Sequence, residues 1–116
     1  MKISELLAKV DSLKSNNIDT QFKIMFLNEI EHLLYTKIFE LAEDTDFDMP
    51  VYTEENMEVD LLVHSPYEDI YFLFLCAKID LLNQEFTSYN NNISLFTNMF
   101  NDFAADYRRK HMPKEI

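Results

Sequence analysis

A chain of 116 residues is one domain, long enough to bury a single core without metal or disulfide staples. It has no glycine and three prolines, which argues against hairpin turns and glycine-rich phosphate loops and points to helices. A net charge of −11 repels nucleic-acid phosphates, and a 47% hydrophobic content separates the chain from acidic disordered sequences.

The charge is unevenly spread. Residues 1–42 carry five lysines and six acids, residues 43–66 carry eight acids and no base, and residues 67–116 carry five bases and seven acids. Most of the excess therefore sits in one connecting segment. The one basic run is Arg108, Arg109 and Lys110, with His111 and Lys114 beyond it. It reads as cations complementing a helix C-terminus, not as the basic face of a nucleic-acid-binding domain. The single cysteine, Cys76, excludes an internal disulfide and fits a reducing compartment. Residues 1–14 lack the apolar core and cleavage site of an export signal, and the uncharged run 70–77 is too short to span a bilayer. A soluble protein made in the cytoplasm is expected, with no membrane contact.

In chain order, Ile3, Leu6, Leu7, Val10 and Leu13 form one stripe of a first helix over 3–14, closed by Ser15-Asn16-Asn17. Asp19 or Thr20 caps a second helix over 19–42, in which Phe22, Met25, Phe26, Ile30, Leu33, Leu34, Ile38 and Leu41 recur at three- and four-residue steps. The connection 43–65 is acidic and broken by Pro50. Its runs 51–53 and 59–63 allow a short β ribbon, and its self-repulsion predicts mobility. Ser65 as N-cap and Pro66 at the first helical position start a third helix over 66–82. That helix is apolar over most of its middle and so is expected to be central. The fourth, over 85–110, steps by threes and fours through Phe86, Tyr89, Ile93, Phe96, Phe100, Phe103 and Tyr107. The short connection makes helices three and four antiparallel. The fold class is all-α, a small bundle of about four helices.

The sharpest apparent ligand set is Asp44, Asp46, Asp48 and Glu55, matching positions 1, 3, 5 and 12 of a calcium loop. Met49 stands where that loop needs glycine and Pro50 follows it, so a solvated acidic loop competes with the calcium reading. Glu29-x-x-His32 is half of a di-iron bundle motif, but neither His64 nor His111 supplies the second half. Cys76 has apolar neighbours and reads as a buried, inert thiol. No nucleophile, base and orienting acid can be assembled from spacing, so no enzyme activity and no cofactor are expected. The tyrosines and asparagines of the second half are better candidates for protein contacts. Tyr67, Tyr71, Tyr89, Asn90, Asn98 and Tyr107 are the interaction candidates, with Arg108 and Arg109 at the end of the helix.

Several of these residues also form a pattern. Ile3-Ser4-Glu5-Leu6-Leu7-Ala8-Lys9-Val10-Asp11 and Lys23-Ile24-Met25-Phe26-Leu27-Asn28-Glu29-Ile30-Glu31 precede Leu61-Leu62-Val63 and Pro66-Tyr67-Glu68-Asp69-Ile70-Tyr71. Ala77-Lys78-Ile79-Asp80 follows, and the pattern closes with Tyr107-Arg108-Arg109-Lys110-His111-Met112-Pro113. This resembles a family of small proteins of tailed bacteriophages and prophages of Gram-positive bacteria. The resemblance covers nearly the whole chain, with residues 61–113 its specific part. Two departures stand out: Gln84 where the family has glycine after Asn83, and Thr97 where it has asparagine.

The resemblance implies a head–tail connector, or adaptor, subunit that forms a ring beneath the portal and extends the DNA channel. Its implied partners are copies of itself and the phage portal and head-completion proteins, with no specific nucleic-acid binding. The implied place is the virion, and the host cytoplasm during assembly. The alternative is a small non-enzymatic adaptor or regulator that binds a phage or host protein.

Overall fold

The computed structural model describes residues 1–114. It is all-α: α1 (Ile3–Leu13), α2 (Thr20–Lys37), α3 (Asp69–Leu82) and α4 (Phe86–Lys110), with one 3-10 turn at Phe39–Leu41. No helix among the described residues is long and apolar enough to cross a membrane.

The first helix follows its predicted stripe except at Leu13, which lies in the last turn and is exposed. Ile3, Leu6, Leu7 and Val10 are buried, and the Lys2 N–H donates to Glu5 Oε1 at 2.8 Å across the first turn. Asn16 closes it, accepting the Ile18 N–H and donating to the Lys14 carbonyl. An asparagine side chain used this way copies a backbone turn.

The second helix is shorter than its periodicity predicts. It ends at Lys37, and the chain kinks at Ile38 (φ −127°, ψ −65°) into the 3-10 turn. The kink brings Phe39 into an aromatic cluster, with ring centroids 5.0 Å from Tyr107, 5.8 Å from Phe47 and 5.9 Å from Phe103. Packing there overrides helix continuation. The apolar residues of α2 also divide between two faces. Ile24, Phe26, Leu27, Ile30 and Leu34 enter the core, whereas Phe22, Met25 and Leu33 remain exposed.

The third helix begins at Asp69, not at Pro66. A turn closed by the Tyr67 N–H on the His64 carbonyl holds Ser65 and Pro66 outside the helix, so Ser65 is not its cap. The central position predicted for α3 is found. Ile70, Tyr71, Phe74, Leu75, Cys76, Ala77, Ile79 and Asp80 are all buried. Helix α4 runs antiparallel to it. Ser88 and Asn92 meet Asp80, Phe96 meets Phe74 (5.3 Å) and Phe103 meets Tyr67 (5.3 Å). Of the predicted seam, Phe96 and Phe103 are buried, Tyr89, Ile93, Phe100 and Tyr107 are half-buried, and Phe86 is exposed.

The turn between α3 and α4 is a Schellman motif. The Glu85 N–H bonds the Asp80 carbonyl at 2.8 Å, the Gln84 N–H bonds the Leu81 carbonyl at 3.2 Å, and Gln84 has φ 58°. A side chain in that left-handed region costs roughly 1–2 kcal/mol. The glycine expected from the resemblance is therefore the residue the geometry favours. Gln84→Gly should stabilise the fold by about 0.5–1 kcal/mol, after its larger unfolded-state entropy is deducted. Chemical denaturation checks this. An unchanged or lower midpoint would contradict it.

The connection 43–65 forms no ribbon. The described residues contain only two isolated bridges, Lys2 with Asp60 and Ala42 with Pro113. Nor does the segment hang loose. From residue 47 to 52 it runs back along α2, where Tyr35, His32 and Asn28 form one stripe at helical spacing. The Tyr35 hydroxyl donates to the Phe47 carbonyl (2.9 Å) and His32 Nε2 donates to the Pro50 carbonyl (3.1 Å). Asn28 pairs with both the N–H and the carbonyl of Tyr52 (2.8 and 3.0 Å). These side chains do for the strap what a partner strand would do in a sheet. Further on, the Ile3 and Ser4 N–H groups bond the Val59 and Met57 carbonyls, and Leu61 and Val63 are buried. Mobility argued from repulsion alone overlooks these anchors.

Candidate functional site

Two buried carboxylates organise the interior, and both are occupied in holding the fold. Glu31 is fully buried between α2, the strap and α3. Its Oε2 accepts the Tyr52 hydroxyl (2.6 Å) and the Leu62 N–H (3.1 Å), and its Oε1 accepts the Tyr71 hydroxyl (2.7 Å). The Tyr71 oxygen in turn accepts the Val63 N–H at 2.8 Å. Burial pushes the Glu31 carboxyl above the usual carboxylate range despite these donors. Burial and the adjacent Glu31 charge push both phenols upward. A proton-transfer role would need a group facing an open cleft, and this one is sealed by its own donors.

Asp80 is the second. The Lys14 ammonium sits directly on Oδ1, while Ser88 Oγ (2.8 Å) and Asn92 Nδ2 (2.7 Å) donate to Oδ2. Burial alone would raise this carboxyl; the Lys14, Ser88 and Asn92 hydrogen bonds outweigh it and hold it below its usual value. For Lys14, burial opposes the charge, but Asp80 and Glu85 carry the ammonium above its usual value. The cluster ties the ends of α1 and α3 to the start of α4. Nearby Cys76 is buried, and desolvation raises its thiol to about 11, so it is protonated and inert at neutral pH.

The sequence-derived candidates fall into three groups. Tyr71 is wholly internal and is removed from the contact surface: its hydroxyl is used by Glu31 and Val63. Tyr67, Tyr89 and Tyr107 are half-buried, Tyr67 against Phe103 and Tyr107 stacked on the His111 ring at 3.8 Å. Asn90, Asn98, Arg108 and Arg109 are exposed, and Arg109 pairs with Asp106 at 3.1 Å on its own helix. Among the asparagines of α4, Asn92 is engaged internally, on Asp80.

The calcium-loop residues do not converge. Among the described residues no group of three metal-capable side chains comes together. Asp44 turns to His111 Nδ1 at 2.6 Å, and the extended strap carries Asp46, Asp48 and Glu55 apart along its length. A chain stretched along a helix cannot also curl around an ion. The half-motif on α2 is likewise structural, with Glu29 on Lys78 (3.1 Å) and His32 on the strap.

Geometry adds a surface that the sequence left unmarked. A groove of about 220 Å³ opens between the ends of α2 and α4, lined by Ile38, Leu41, Ala42, Tyr107 and Pro113 and rimmed by Lys37, Arg108 and His111. Its floor is apolar and none of the described residues that line it is acidic, although Asp44 sits behind it on His111. Glu31 was legible in principle. An acid at the same helical face as Leu27 and Leu34 signals a buried, partnered carboxylate. The groove was not, because its walls lie some 70 residues apart in the chain. Comparison of the chain with known protein families, with curated proteins and with solved structures finds no match.

Proposed function

We propose that this protein is a non-enzymatic structural subunit that works by self-assembly, a head–tail connector of a tailed bacteriophage that packs as a ring beneath the portal. The observation that carries the self-assembly is the presence of two unlike outer surfaces on one small acidic domain. One is the exposed apolar stripe of Phe22, Met25 and Leu33 on α2; the other is the cation-rimmed groove at the far end of that helix. Head-to-tail contacts between copies need two such different faces, and exposed apolar groups beside polar ones mark interaction surfaces. The connector identity itself is supported by the resemblance of residues 61–113. The acidic balance agrees with it, since a surface that repels phosphates lets DNA slide through a channel without binding. Both interior carboxylates are held by structural donors, which fits a subunit whose task is packing.

Light scattering of the protein, alone and mixed with the cognate portal, tests the reading. Concentration-dependent oligomers and a complex with the portal are expected. A protein that stays monomeric at all concentrations and never joins the portal would contradict it. Capture of a different phage or host protein by that monomer would point to the adaptor alternative.

A further inference from the structure

The groove and the strap are chemically complementary, and this deepens the self-assembly reading on which it rests. The strap is pre-formed. Asn28, His32 and Tyr35 bind its backbone from below, Tyr52 turns inward onto Glu31, and Phe47 lies at the surface with its ring edge on Tyr35 and Phe39. Met49 and Val51 between them are exposed, by 40% and 70%. Beside them stand Asp46 and Asp48, both exposed and neither in an ion pair among the described residues.

The groove offers the converse. Leu41 and Tyr107 form part of an apolar floor, and Lys37 and Arg108 on its rim have no acidic partner among the described residues. Two aliphatic side chains flanked by unpaired acids match an apolar floor flanked by unpaired cations. A backbone already anchored by hydrogen bonds at residues 47, 50 and 52 loses little further entropy on docking. The two surfaces also differ from each other, as a head-to-tail contact requires.

We propose that the strap of one copy, residues 46–51, seats in the groove of the next, with Met49 and Val51 on the floor and Asp46 and Asp48 against Lys37 and Arg108. The partner at this groove is thus a second copy of the same chain.

Sedimentation velocity over a range of concentrations, at low and at high salt, tests this. K37E/R108E and D46K/D48K should each raise the dissociation constant of self-association at least tenfold, and wild-type association should weaken with salt. Mixing the two variants should restore assembly, because each then supplies the charge the other lacks. Val51→Asp, which leaves the groove untouched, should weaken association as well. The four charged side chains are exposed and form no ion pair among the described residues, so circular dichroism should show the native helical signal in each variant. Wild-type oligomers that ignore both charge reversals, or variants whose mixture stays apart, would overturn the strap-in-groove contact while leaving self-assembly standing. A wild-type protein monomeric throughout, with or without portal, would overturn both.

Discussion

Glu31→Ala should lower the unfolding free energy by about 3–5 kcal/mol, the cost of leaving two buried hydroxyls and one half-buried N–H without their acceptor. Tyr52, Tyr71 and the Leu62 N–H would all lose it at once. Against a total stability on the order of 5–15 kcal/mol, that loss removes much of the fold. Tyr71→Phe and Glu31→Gln are milder. The first frees the Val63 N–H and one carboxylate lone pair, and the second puts an amide N–H₂ where a hydroxyl donates, each costing about 1–3 kcal/mol. Urea denaturation of the three variants should rank Glu31→Ala as the most damaging. A loss below about 1 kcal/mol for that variant would show that the network contributes little.

The same group sets a pH dependence. Its folded pKa is raised above the usual 4.5, so the ionised form is penalised in the fold. The wild-type protein therefore gains stability relative to Glu31→Gln as pH falls from neutral through the folded pKa towards 4.5, and the gain is complete below that value.

Asp80→Ala should cost about 3 kcal/mol at neutral pH, because it removes the buried counter-charge of Lys14, leaving that ammonium only the exposed Glu85 carboxylate at 3.5 Å, and takes the acceptor from Ser88 and Asn92. Here the linkage runs the other way. The folded pKa of Asp80 lies below its usual 3.8, so its contribution is fully present above that value and is lost as pH falls through the folded pKa. Lys14, raised above 10.5, keeps its contribution below that value and loses it as pH rises through the folded pKa. The stability gap between wild type and Asp80→Ala should thus be flat across neutral pH and narrow below 3.8. A gap that persists unchanged into strong acid would mean that the aspartate acts through shape and not through charge.

Much of the architecture is local in origin. The stripe Ile3, Leu6, Leu7 and Val10 is buried as its period predicts, with only Leu13 left out, and the three–four stepping of α4 places Phe96 on Phe74 of α3 and Phe103 on Tyr67 just before it. The antiparallel hairpin follows from a connection too short to allow anything else. Where local signals misled, a tertiary contact decided. Pro66 and Ser65 look like a helix start, but the turn at His64 comes first. The acids of 43–60 look like a repelling, mobile loop, yet the backbone at Phe47, Pro50 and Tyr52 among them is bonded by Tyr35, His32 and Asn28, residues 12 to 24 positions away. Tyr71 looks like a contact residue until its hydroxyl is found on Glu31, forty positions upstream.

By itself, the sequence determined the all-α class, the central place of α3, the α3–α4 hairpin and the excess acidity of one segment. Each of these depends on spacing within a few turns or on composition, which a chain carries wherever it folds. Only the tertiary structure decided that the acidic segment is a fixed strap, that Glu31 and Asp80 are structural hubs, and that the ends of α2 and α4 enclose a cation-rimmed groove. Those features join residues 8 to 75 positions apart, and no local period records which distant donor a buried carboxylate will meet or which two helix ends will share a wall.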